Sequence, residues 1–231
     1  MKRVSALASL TALLLTPALA QSAPPDLTGV WAIVGYRAAL KTTDGAVPPL
    51  TSEARAVYEK HLADAARGDR SFDATTLCLP PGLPRLMLLD KPFEILQREK
   101  AAYFVHQDNR MPRRAYFSEP LPDNPDPLYL GFSVARWEGA ALVIDSSGFR
   151  DSTLLDDAGL PHSAALRLTE RYQLDRDGKT LRARFTVDDP KTFTRPWSAE
   201  AQYVRRPGFE IPEEVCAEKL TSTHPQKRRA K

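Results

Sequence analysis

The stretch from Gly131 to Trp197, GFSVARWEGAALVIDSSGFRDSTLLDDAGLPHSAALRLTERYQLDRDGKTLRARFTVDDPKTFTRPW, decides the fold. Apolar residues alternate with polar ones over Ala141 to Ser146, Ala165 to Leu174 and Leu181 to Val187, and EGA, RDGK and DDP punctuate the runs. A period of two broken by turn residues is the pattern of antiparallel strands joined locally. Strand parity then assigns faces. Leu166, Leu168, Glu170, Tyr172 and Leu174 share one side of their strand, so Glu170 points the same way as four large, mostly apolar neighbours. If RDGK pairs Leu174 with Leu181, Glu170 lies opposite Phe185, and Asp189 continues that face at the open end.

Upstream, TGVWAIVGY (28–36) reads as a first strand anchored by Trp31, and Phe93 to Gln97, Ala102 to Gln107 and Arg114 to Phe117 read as further strands. Phe132 to Trp137 turns at Glu138-Gly139 into the next strand, and Ala199 to Val204 supplies the last. Between them, Thr51 and Ser52 offer a helix N-cap, and Ala54, Val57, Tyr58, Leu62 and Ala65 recur at helical spacing until Gly68, which predicts one amphipathic helix. CLPPGLP (78–84) holds three prolines and cannot be regular structure. Ser118 to Leu130, with four prolines and three acidic residues, is long for a bare connection and could lid an opening. Ser147 to Ser163 is a second long excursion. Eight or nine short strands, local connections and one N-terminal helix predict a mainly β, antiparallel up-and-down β-barrel, with a two-sheet sandwich as the alternative.

Composition places the chain. Its 231 residues, 42% hydrophobic, suit one domain. Lys2 and Arg3, the apolar run Ala6 to Leu15 and the A-x-A at Ala18 to Ala20 make residues 1–20 a secretory signal peptide, too short in its apolar part to span a bilayer. The expected layout is a signal peptide at 1–20, a single barrel domain at 21–218 and a basic, disordered tail at 219–231. Without the signal peptide and the tail the chain holds 25 basic and 29 acidic residues, so the body is mildly acidic and nucleic acid is not an expected partner. Cys78 and Cys216, far apart in an oxidising compartment, read as one disulfide; a catalytic thiol is the alternative. The expected location is periplasmic or secreted.

Several motifs resemble those of a group of largely uncharacterised exported bacterial proteins with a lipocalin-like β-barrel. They are RWEG (136–139), LVIDSSGF (142–149), GLPHSAAL (159–166), TERY (169–172), DDPKTFTRPW (188–197) and EEVCAE (213–218), with PPLTSEAR and CLPPGLPR upstream. The resemblance implies a barrel and an extracytoplasmic location. It implies no activity.

The candidate chemistry follows from parity. A carboxylate buried among apolar side chains has its charged form disfavoured, which suits a general acid or base near neutral pH. Glu170 is therefore the candidate base; the competing reading locks it to an inward arginine, Arg114 or Arg136. His162, in LPHS before the hairpin, is a candidate proton-transfer group or a cap for the loop, and Asp189 is the other proton partner. Of Arg113 and Arg114, alternation turns one in and one out; an inward arginine suits an anionic or carbonyl-bearing ligand, and Arg114 or Arg136 is the expected ligand-binding group that stabilises developing negative charge. Tyr172, Phe185, Trp137 and Asp145 complete the expected ligand wall, with Trp31 and Trp197 as core or wall. A Ser163/His162/Asp hydrolase lacks a G-x-S-x-G elbow, and no H-x-H, H-E-x-x-H or C-x-x-C spacing suggests a metal. No cofactor is expected, and oligomeric state is not legible. The expected function is acid/base chemistry on a small, partly apolar or aromatic molecule in a barrel cavity; the alternatives are a non-catalytic ligand carrier and an envelope interaction protein.

Overall fold

The structure, a computed structural model, describes residues 23–216. The expected signal peptide at 1–20 and the expected disordered tail at 219–231 lie outside the described residues. Nine strands close into one barrel: β1 (Gly29–Val34), β2 (Phe93–Gln97), β3 (Ala101–His106), β4 (Pro112–Phe117), β5 (Phe132–Glu138), β6 (Ala141–Ser147), β7 (Arg167–Leu174), β8 (Thr180–Asp188) and β9 (Trp197–Arg205). The register between β7 and β8 pairs Leu174 with Leu181 and Glu170 with Phe185.

The expectation of a purely antiparallel barrel needs one correction. β4 and β5 run parallel, with Ala115 beside Ser133 and Phe117 beside Ala135. The reason is arithmetic. Strands that alternate up and down around a ring close only if their number is even, so nine strands require a parallel neighbour pair. Parallel neighbours in turn need a crossover that carries the chain back along the barrel. Residues 118–131 are that crossover, so the segment's length reflects connectivity. It returns past the end of β6, where Leu128 bridges to Phe149. Gly131 then enters β5 at φ 62°, with the space for a Cβ taken by the carbonyl oxygen of Ser147 at 2.6 Å, so glycine alone fits there.

Helix α1 (Ser52–Ala66) starts where Thr51 accepts the Ala54 N–H at 3.2 Å on its hydroxyl. Its packing face is narrower than the apolar spacing predicts. Tyr58 is buried and Ala54 and His61 are half-buried, whereas Val57 and Leu62 are exposed. They sit to either side of the line Ala54, Tyr58, His61, Ala65, which is the row at i, i+4, i+7 and i+11. His61 stacks on Phe72 with ring centroids 4.2 Å apart and donates through Nδ1 to the carbonyl of Gly159 at 2.7 Å.

Besides α1 there is a four-residue helix, α2 (Arg85–Leu88), directly after the proline-rich CLPPGLP loop, and all its residues are buried. It caps the barrel end at which β2 begins. Tyr203 of β9 donates its hydroxyl to the carbonyl of Met87 at 2.9 Å. Arg85 holds Asp73 through two hydrogen bonds of 2.9 and 2.7 Å and Asp157 through a third of 2.6 Å. Burial alone would raise the Asp73 carboxyl, but the Arg85 guanidinium outweighs it and keeps Asp73 well below the usual carboxylate range. Cys78 and Cys216 form a disulfide with Cα atoms 5.6 Å apart. The C-terminal segment is also tied down by Lys91, which pairs with Asp108 and, at 2.8 Å, with Glu214.

Candidate functional site

Inward-facing side chains from all nine strands fill the barrel, and at their centre lies a polar cluster. Glu170 on β7 is fully buried, as parity predicts. Its partner is Arg113 on β4: Nη2 forms a short ion pair with Glu170 Oε2, the two side chains being 2% and 0% exposed. The same nitrogen reaches Ser146 on β6 at 3.0 Å and Ser133 on β5 at 3.1 Å. Those two serines face each other in the β5–β6 register, with hydroxyl oxygens 2.8 Å apart. Tyr172, two residues along β7 on the same face, donates to Glu170 Oε1 at 2.7 Å. Phe104 lies under the guanidinium at 5.5 Å, and Phe185 meets Tyr172 edge-on.

The electrostatics follow from this enclosure. Burial works against the Arg113 charge, but the Glu170 carboxylate more than offsets it and the guanidinium is raised. The Tyr172 phenol is raised well above its ordinary value, by burial first and by the adjacent carboxylate second. His106, at the end of β3, is pushed down to about 3 by burial and by the positive charge of Arg113, so its imidazole is neutral. Among the described residues neither its Nε2 nor Arg113 Nη1 has a hydrogen-bond partner. Both Glu170 oxygens are engaged, one by Arg113 and one by Tyr172, and the carboxylate is closed off from solvent.

The other expected site residues lie elsewhere. Arg113, not Arg114, is the inward arginine. Strand β4 begins at Pro112, two residues before the expected start, and its inward row is Arg113, Ala115 and Phe117. Arg114 lies outside, over the rings of Tyr103 and Tyr116. Arg136 and Asp145 are on the outer wall as well. They form a short ion pair there, Arg136 also meets Glu138 at 2.9 Å, and Asp145 accepts from Thr169 at 2.6 Å. Both belong to the row of the β5–β6 ladder in which Val134 pairs with Asp145 and Arg136 with Val143, opposite to the row of the serines.

His162 and Asp189 are buried but do not meet Glu170 in a common hydrogen-bonded group. His162 donates from Nδ1 to the Ser163 carbonyl at 2.9 Å, and its Nε2 is 2.7 Å from the Thr153 hydroxyl. Burial lowers its pKa. Asp189 accepts the Ser163 N–H and O–H, each at 2.6 Å. Burial opposes the Asp189 charge, but these bonds prevail and lower its pKa. Ser163 therefore serves Asp189, and the two side chains fasten the loop before β7 to the loop after β8. The hydroxyl beside His162 is that of Thr153, and the Ser163 hydroxyl is given to Asp189 instead. Among the described residues no group of three His, Cys, Asp or Glu is placed to hold a metal ion, and no helix is long and apolar enough to cross a membrane.

Open space occurs in the barrel wall. One cleft, of about 510 Å³, lies at the end of β4 and β5 between Gln97, Phe117, Ala135 and Trp137. Trp137 is thus half-buried at a rim. A second cleft, of about 610 Å³, opens where β1 parts from β9. Those strands pair from Trp31 and Arg205 to Val34 and Gln202. Beyond that point the loop at 35–45 takes the place of β1, with Thr43 N–H bonded to the Ser198 carbonyl at 2.9 Å. The gap between loop and sheet is the cleft. Sequence reasoning did not locate it, because it arises from the stagger between the first and last strands, which no local pattern encodes. The inward role of Arg113 had a faint signal: Ala115 and Phe117 share its parity.

No protein-family model matches the chain, and no curated protein matches it in sequence.

Proposed function

We propose that the protein is an exported, non-catalytic binding protein that holds a small molecule in the cleft between β1, β9 and the loop at 35–45. The observation that carries this reading is the cleft itself. Its volume of about 610 Å³ falls within the range of roughly 300–1,000 Å³ usual for small-molecule sites. Its inner wall is apolar, from Ile33, Leu40, Leu88 and Ala201, and its outer wall is polar. Acid/base catalysis by Glu170 has less support, since the carboxylate is paired with Arg113 and closed off by side chains. The disulfide and the resemblance to exported barrel proteins support an extracytoplasmic setting.

A thermal-shift screen of small metabolites against the wild type and Ala39→Trp tests the reading. Ala39 lines the cleft and is only half-buried, so a large side chain fills the space without entering the core. Ligands that raise the melting temperature of the wild type alone support the site. Ligands that stabilise both proteins equally place binding elsewhere, and any ligand chemically converted on incubation favours an enzyme.

A further inference from the structure

The walls of this cleft are charged in one sense. Arg37 and Lys41 project from the loop, and Arg171, Arg182 and Arg184 from the outer face of β7 and β8, while Glu200 is the one carboxylate among the lining residues. Arg171 and Arg184 stand directly opposite each other in the β7–β8 register. Like charges in that position repel and weaken the pairing of strands, so the arrangement is not one that sheet stability favours.

Existing partners compensate only in part. Arg171 meets Glu138 at 2.6 Å, Arg184 meets Glu200 at 2.6 Å and Arg182 meets Asp175 at 2.9 Å. These are exposed pairs, which hold weakly and exchange partners readily. Arg37 and Lys41 form no ion pair among the described residues and are exposed. The contrast with the body, which carries 25 basic and 29 acidic residues between the signal peptide and the tail, makes the concentration of positive charge local. The cationic loop and the arginine row of the sheet thus line one space together with the apolar Ile33, Leu40 and Ala201.

Resting on the binding reading above, we infer that the ligand is a small organic anion with two or more carboxylate or phosphate groups, held between Arg37 and Lys41 on the loop and Arg171, Arg182 and Arg184 on the sheet. Guanidinium groups bind both carboxylate and phosphate oxygens in paired hydrogen bonds. The ligand's carbon body lies against Ile33, Leu40 and Ala201, and its charges lie toward solvent, where the arginines are.

The test is calorimetric titration of the mature protein at low salt with benzene-1,3,5-tricarboxylate and with glucose 1,6-bisphosphate, and with benzyl alcohol and glucose as neutral counterparts. At least one anion is expected to bind and to weaken as salt is added, because exposed charge pairs are screened. Arg182→Gln with Arg184→Gln is expected to weaken it about tenfold or more. Lys41→Gln with Arg37→Gln, confined to the loop, gives the same direction if the sheet variant folds poorly. Arg176→Gln, in the β7–β8 turn outside the cleft, leaves affinity unchanged. Binding of the tricarboxylate alone or of the bisphosphate alone identifies the group recognised, and either supports the inference. It is overturned if neither anion binds, if the cleft variants bind them as the wild type does, or if benzyl alcohol binds equally well. In that last case, loss of benzyl alcohol binding in Ala39→Trp leaves the binding reading standing without its anion.

Discussion

Arg113 and Glu170 meet across the inside of a closed barrel, from strands three apart in the ring, with Ser133 and Ser146 bridging the strands between them. Two opposite charges removed from water stabilise a fold only while both are present, since the survivor of a broken pair is left buried and uncompensated. Glu170→Leu or Arg113→Met is therefore expected to lower unfolding free energy by about 3 to 5 kcal/mol. The double substitution is expected to be much milder than the sum of the two. Urea unfolding of the three variants measures this, and additive losses would show that the pair is not coupled.

Arg114 and Arg136 provide the contrast. Both lie on the outer wall, and the partners of Arg136 are exposed or half-exposed. Replacing either by Gln is expected to change stability by less than about 1 kcal/mol. A loss as large as that of the Arg113 variant would contradict the assignment of faces on β4 and β5.

His106 makes stability depend on pH. Its imidazole remains neutral in the fold down to about pH 3, whereas in the unfolded chain it takes up a proton near ~6.5. Between those values the unfolded state binds more protons. The contribution is thus fully present above the unfolded pKa and is lost as pH falls toward the folded one, with a slope approaching ~1.4 kcal/mol per pH unit. His162, also lowered by burial, acts in the same direction. Between ~pH 7 and ~pH 5 the unfolding free energy of the wild type is expected to fall more steeply than that of His106→Phe. Parallel curves would mean that His106 is not held neutral.

The disulfide joins residues 138 apart in sequence. In the chain-entropy description, closing such a loop stabilises by roughly 3 to 5 kcal/mol. Cys78→Ser with Cys216→Ser is expected to lower the melting temperature while the closed barrel persists, because every strand pair lies between β1 and β9 and none includes either cysteine. Near- and far-ultraviolet circular dichroism at low temperature checks the second part.

What could be read from the sequence was whatever a local period records. Leu168, Glu170 and Tyr172 alternate cleanly with polar neighbours, so the face of β7 and its register with β8 followed from two short runs and a turn. Arg113 and Arg114 gave no such guidance, because two identical residues at a strand start leave parity to the exact first residue, and Pro112 proved to be that residue. His162 and Asp189 sit close to β7 and β8 in sequence, yet each answers to a loop partner, Thr153 or Ser163, whose position depends on the path of residues 148–166. On α1, Val57 and Leu62 fit a helical spacing but miss the buried and half-buried row of Ala54, Tyr58 and His61, which meets Phe72 and Gly159 through His61. Connectivity was the deepest omission: counting strands left eight or nine open, and the parallel pair follows only from the odd number.

That odd number divides the molecule. β1 to β4 form one antiparallel fan and β5 to β9 another, and they touch along two borders, β4 against β5 and β9 against β1. Each wall cleft opens at one of these borders. A molecule lodged at the second border bonds to Arg37 and Lys41 from the first fan and to Arg182 and Arg184 from the other, and so acts as a cross-brace. Its occupancy should therefore be visible as slowed amide exchange along β1 and β9, where the two fans meet.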